Sequence, residues 1–139
     1  MKIGIVGNKF YANKTQLKEF LWMVKQQFDN LNPPEEIELV GLGRKIQIDK
    51  HVKKLANLLN FKYSEFIPYH DNWNPNCVEQ AYLFKKEYSP KYFFMAYTKF
   101  VKYCDSILIL DTDEGHDSGI AYIKNLCKKN KKHFTILKN

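Results

Sequence analysis

The stretch LVGLGRKIQIDKH, residues 39 to 51, holds the single arginine of the chain, Arg44, directly after Gly41 and Gly43; the other 21 of its 22 basic residues are lysines. Glycines let the backbone approach a bound group closely, and a guanidinium can fork two donors onto a phosphate or carboxylate. Arg44 is therefore the first candidate for holding an anion, with Asp49 a polar group just beyond it. A second candidate is GNKFY: Gly7 and Asn8 can take up backbone geometries closed to bulky residues, and the N–H groups at the helix start after Lys9 and Phe10 attract anions. The third is DTDEGHDSG, residues 111 to 119. Here Gly115, Ser118 and Gly119 precede a helix that Ser118 is expected to cap, and Asp111, Asp113 and Asp117 stand around it. A fourth segment, YHDNWNPNC, lacks periodicity and reads as a loop carrying Tyr69, His70, Asp71 and Trp73.

Other chemistries use the same residues. Asp111, Asp113, Glu114 and Asp117 could jointly offer oxygen ligands to Mg²⁺, and His70-Asp71 and His116-Asp117 resemble acid/base pairs. Adjacent side chains point in different directions, so we read these as loop residues bonded to backbone, and expect neither a metal nor a cofactor. The dinucleotide fingerprint G-x-G-x-x-G is incomplete, because Ile46 and Gln47 stand where its third glycine would fall.

Positioning these segments falls to alternating strands and helices. KIGIV (2–6), IELV (37–40), YSEFIP (63–68), DSILIL (105–110) and HFTIL (133–137) read as strands, DSILIL being the most apolar and so central. Helical stripes run from Lys14 to Phe28 with Asn13 as cap, from Asp49 to Asn60, through YFFMAYTKFVKYC, and through IAYIKNLCKK; a short helix is also expected over residues 78–86. Such alternation implies one α/β domain over residues 1–139, Rossmann-like, with a mainly parallel five-stranded sheet between two helix layers. In such sheets ligands bind beyond the carboxyl ends of the strands, where strand order reverses. The three glycine-bearing segments should gather there.

Composition narrows the function classes. A chain of 139 residues that is 45% hydrophobic and 15% aromatic can bury a sizeable core. Without a membrane-length apolar run or a signal-peptide layout it is expected to be cytoplasmic. Cys77, Cys104 and Cys127 are an odd number without C-x-x-C spacing, so reduced, partly buried thiols are expected. The net charge of +7 invites a nucleic-acid reading, but the lysines are spread out, and the dense block KKNKK falls where a helix end welcomes cations. Nucleic acid is not the expected partner. Nine aromatic or large apolar residues from Tyr88 to Tyr103 exceed what one helix face buries, and predict a symmetric homodimer.

The order strand-GNKFY-helix, strand-GLGRKIQID-helix, strand into PYHDNW, and DSILILDTDEGHDSGIAYIKNLCKKNKKHFTIL resembles the SLOG superfamily of Rossmann-like nucleotide-binding domains, in particular its small stand-alone YspA-like branch. Gly41, Gly43, Arg44 and Asp49 are similar to the family's glycine turn with arginine and aspartate, though more widely spaced. Pro68, Asp71 and Trp73 match its third-strand exit, and Asp113, Gly115, Ser118 and Gly119 its terminal D-G-x-S-x-G-like loop. An arginine–asparagine pair common in small members is replaced within YFFMAYTKF, and the catalytic glutamate of the phosphoribohydrolase branch is missing. The resemblance implies a nucleotide-derived ligand, with Arg44 and helix N-termini for its anion, Phe10, Tyr11, Tyr69 and Trp73 for stacking, and Asp49, Asp71, Asp111 and Asp113 for ribose hydroxyls. It implies sensing or sequestration of such a molecule, an ADP-ribose-type or cyclic nucleotide signal of the kind read in bacterial antiviral systems. The alternative is an N-glycosidase related to the phosphoribohydrolases; a DNA-associated module trails both.

Overall fold

The first strand, β1 (Lys2–Gly7), sends Ile5 to one face of the sheet and Val6 to the other, both essentially inaccessible. A strand apolar on both faces must be covered on both. The computed structural model, which describes residues 1–68, 74–78 and 91–139, meets that need with α1 (Lys14–Asp29), β2 (Glu38–Leu42), α2 (Gln47–Leu58), β3 (Lys62–Phe66), α3 (Lys91–Tyr103), β4 (Ser106–Asp111), α4 (Ser118–Lys129) and β5 (Phe134–Lys138). The strands form one sheet in the order β3-β2-β1-β4-β5, every pairing parallel. The fold is α/β and Rossmann-like, as the alternating periods predict.

Two apolar layers sandwich this sheet. On one face Ile5, Leu39, Leu108 and Leu110 pack with Leu17 and Leu21 of α1 and with Val52, Leu55 and Ala56 of α2. On the other Val6, Val40, Ile107 and Ile109 pack with Tyr97, Phe100 and Val101 of α3 and with Ile120, Ile123 and Cys127 of α4. Each fully buried aliphatic side chain contributes about 1.5–3 kcal/mol from removal of apolar area. β4 lies between β1 and β5 with Ile107 to Leu110 all buried, the central position its composition indicates.

Local signals set most element ends. The Asn13 side chain accepts from the Gln16 N–H at 3.0 Å and starts α1, as expected. Lys128 and Lys129 close the last turn of α4, where cations oppose the helix dipole. Several boundaries shift from the periodic reading, and two of the shifts bear on the glycine turn. β2 runs on through Gly41 to Leu42, because its ladder with β3 continues to the Leu42–Phe66 pair. α2 begins at Gln47, placing Asp49 in its first turn. The helix expected over 78–86 lies, from residue 79 on, outside the described residues; just before it, Cys77 forms a parallel bridge with Glu65 beside β3. Cys104 and Cys127 are buried free thiols and Cys77 is half-buried. Among the described residues no helix is long and apolar enough to cross a membrane.

Candidate functional site

The chain runs outward from β1 to β2 and β3, and α3 then carries it back across the sheet to β4 and β5. Strand order thus reverses between β1 and β4, and a crevice is expected at their carboxyl ends. Three loops meet there, following β1, β2 and β4, and buried polar side chains fasten them together. The Asn8 side chain, 2% exposed, donates to Asp111 Oδ1 at 3.1 Å and to the Gly115 carbonyl at 2.9 Å, and accepts from the Phe10 N–H at 2.9 Å. Asn8 is a latch between the β1 and β4 loops, both of its amide N–H donors used.

Arg44 and Asp49, which the sequence assigns separately to ligand, bind each other. The Asp49 carboxylate accepts from Arg44 Nε at 2.8 Å, from Nη2 at 2.9 Å and from the Arg44 backbone N–H at 3.1 Å. Nη2 also donates to the Gly7 carbonyl at 2.9 Å. Burial opposes the charge on Arg44, yet the Asp49 hydrogen bonds and charge outweigh it and hold the guanidinium protonated. Burial likewise pushes the Asp49 carboxyl up, against the hydrogen bonds and charge of Arg44. This pair, 7% and 5% exposed, ties the α2 start to the end of β1. The guanidinium also interacts with the Tyr97 hydroxyl, whose own pKa burial raises against the charge of Arg44.

The glycines serve packing around this pair. A Cβ on Gly7 would stand 2.7 Å from Ile48, one on Gly41 2.5 Å from the Tyr63 hydroxyl, and one on Gly43 2.5 Å from Ile67. Gly41 lies inside β2 and not in the turn where the sequence reading puts it. Gly115 lies against the Phe10 ring, 2.3 Å from which an added Cβ would stand, so Phe10 packs on the β4 loop. Tyr11, another stacking candidate, is buried in the core with its hydroxyl on Gln16 Oε1 at 2.5 Å.

At α4 the cap is Asp117, not Ser118. Asp117 Oδ1 accepts from the Gly119 N–H and Oδ2 from the Lys9 N–H, each at 2.9 Å. An aspartate accepts both N–H groups where a serine hydroxyl would reach only one. The carboxylate thereby occupies the anion position that the loop was expected to offer a ligand.

The resulting cleft, of about 450 Å³, is lined by Lys9, Arg44, Ile46, Phe93, Phe94, Tyr97, Asp117, Ser118, Gly119 and Tyr122. Its wall is aromatic. Phe94 and Tyr122 meet edge to face at 4.9 Å, Tyr97 and Tyr122 lie 6.0 Å apart, and Phe93 and Tyr97 6.3 Å apart. Phe94, which lines the cleft, is 49% exposed. The sequence reading missed Ile46, Phe93, Phe94, Tyr97 and Tyr122. The signal was present in YFFMAY, whose aromatic surplus was assigned to a dimer interface; the cleft and the core take up most of it.

The cleft therefore gathers Lys9, Arg44, Asp117, Ser118 and Gly119 of the sequence candidates, while Asp49, Asp111 and Asp113 do not line it. Asp111, Asp113 and Gly115 border a second recess of about 380 Å³ across the β4 loop, with His116 and Lys124. Asp111 is held below the ordinary carboxylate range: burial acts against this, but Lys124 at 2.7 Å, Asn8 and the Thr112 N–H prevail. Asp113 is exposed and pairs with Lys138 at 2.9 Å. Tyr69, His70, Asp71 and Trp73 lie outside the described residues, among which no group of His, Cys, Asp or Glu is arranged to hold a metal.

No protein-family model, curated protein or solved structure matches this chain.

Proposed function

We propose that the chain binds a small nucleotide-derived molecule in the cleft between the ends of β1 and β4, and acts as its sensor or sink. The observation that carries this reading is the exposed Phe94 ring, backed by Tyr122 and Tyr97 and facing the loops at the strand-order reversal. A planar base laid on that wall gains stacking worth about 1–3 kcal/mol, and the Asp117, Ser118 and Lys9 groups at the rim suit sugar hydroxyls. The resemblance in the glycine turns points to the same ligand class, and a role in antiviral signalling belongs to that resemblance.

Binding without turnover is the reading the chemistry favours over N-glycoside cleavage. Among the described residues Asp117 is the only carboxylate lining the cleft, and both its oxygens accept backbone N–H bonds. A general acid needs a carboxyl free to hold a proton. Incubating the purified protein with a panel of nucleosides, nucleotides and ADP-ribose derivatives, then recovering the compounds, separates the readings: retained intact ligand is expected, and released free base assigns the glycosidase instead. Phe94→Ala should weaken binding about 5- to 150-fold, the equivalent of the stacking energy above, with an unchanged far-ultraviolet circular dichroism spectrum. Equal affinity in parent and variant removes the cleft reading.

A symmetric homodimer is a separate part of the proposal. Apart from Phe94 in the cleft, the exposed large apolar residue on α3 is Met95, a smaller face than the sequence suggests. A dimer mass by light scattering at micromolar concentration supports it; a monomer mass removes it.

A further inference from the structure

We infer that the cleft selects a nucleoside-type ligand over its phosphorylated forms, and that Asp117 is the residue that makes the choice. This rests on the cleft being the binding site proposed above. Phosphate sites on such folds use backbone N–H groups of a loop and a helix N-terminus. Here the N–H groups of Lys9, in the β1 loop, and of Gly119, in the first turn of α4, converge, yet a single carboxylate spans them, Oδ2 on Lys9 and Oδ1 on Gly119, both at 2.9 Å. An internal carboxylate thus fills the place of two phosphate oxygens.

Charge counting leads the same way. Lys9 and Arg44 are the cations along the cleft among the described residues, and Asp117 is one carboxylate along it. The second carboxylate, Asp49, lies directly behind Arg44 and binds its Nε and Nη2. Arg44 is thus neutralised by its own partner, which leaves Lys9 and Asp117 as the opposed charges of the lining, and Asp117 adds repulsion to a phosphate at close range. The wall of Phe93, Phe94, Tyr97 and Tyr122 offers an uncharged base what it needs, and Asp117 and Ser118 offer acceptors to ribose hydroxyls. A nucleotide would displace the Asp117 carboxylate from its two donors or leave its phosphate beside a fixed negative charge; a nucleoside does neither.

Isothermal titration of the protein with adenosine, guanosine, cytidine and uridine, and with the 5′-monophosphate and triphosphate of each, tests this. The best nucleoside should bind at least tenfold more tightly than its own mono- and triphosphate. Asp117→Asn keeps an oxygen able to cap α4 and removes the charge; it should narrow that gap by about tenfold or more, chiefly by improving the phosphorylated ligand. Asp117→Ala, which empties the two N–H groups, should gain measurable affinity for inorganic phosphate. A nucleotide preferred by the parent protein, or a gap the same in parent and Asp117→Asn, overturns the inference while leaving the cleft reading in place. Failure of all twelve compounds to bind, with no effect of Phe94→Ala on anything that does bind, overturns the cleft reading and the inference with it.

Discussion

Arg44 and Asp49 sit five residues apart, and the guanidinium grips both carboxylate oxygens inside the protein while a third donor bond reaches back to the Gly7 carbonyl. A buried pair of this kind adds little over an apolar pair, but breaking it strands a charge. Arg44→Ala should therefore cost about 3–5 kcal/mol of stability, and Asp49→Ala a similar amount. Urea denaturation measures both. The double variant Arg44→Met with Asp49→Leu should recover most of the loss; single variants as stable as the parent would show that the pair holds nothing together.

Gly4 tests the packing of α3 against β1. A Cβ there would stand 2.7 Å from both Cys104 Sγ and the tip of the Phe100 ring, and those two residues are 1% and 0% exposed. Neither can swing into solvent, so Gly4→Ala should destabilise by about 1–3 kcal/mol, as overpacking of cores does. Combining it with Phe100→Leu, which removes ring atoms at the clash, should cost less than the sum of the two changes. Strict additivity would mean that the backbone moves instead of the ring.

His51 on α2 supplies a pH dependence. Its pKa is lowered in the folded protein by burial and by the charges of Lys14 and Lys54, and its Nε2 is enclosed with no hydrogen-bond partner among the described residues. A histidine that binds its proton less readily when folded contributes stability that is present above its ordinary value near 6.5 and is lost as the pH falls below it through the folded value. Urea midpoints should thus decline from pH 7 towards pH 5, and His51→Gln should flatten the decline. A midpoint rising on acidification in that window would reverse the sign.

The sequence determined the strands, the helices and their alternation, since the switch between two-residue and 3.6-residue apolar periods is local and needs no partner. DSILIL reads as an interior strand and Asn13 as a helix cap, and the glycine-bearing turns are expected at one edge of a parallel sheet. Sequence also singled out Arg44, Asp49, Lys9 and Gly119 as belonging to that edge. What tertiary structure decided was which of these groups spend their hydrogen bonds on each other. Arg44 closes on Asp49, and Asn8 on Asp111 and Gly115, while Asp117 reaches Lys9 from a loop over a hundred residues away. The aromatic wall is the same kind of fact: Phe94 on α3 and Tyr122 on α4 are adjacent only because both helices cover one face of the sheet. Periodicity reports that a side chain faces an apolar layer or solvent, whereas pairing between distant polar groups depends on loop conformations that three separate strands must bring together.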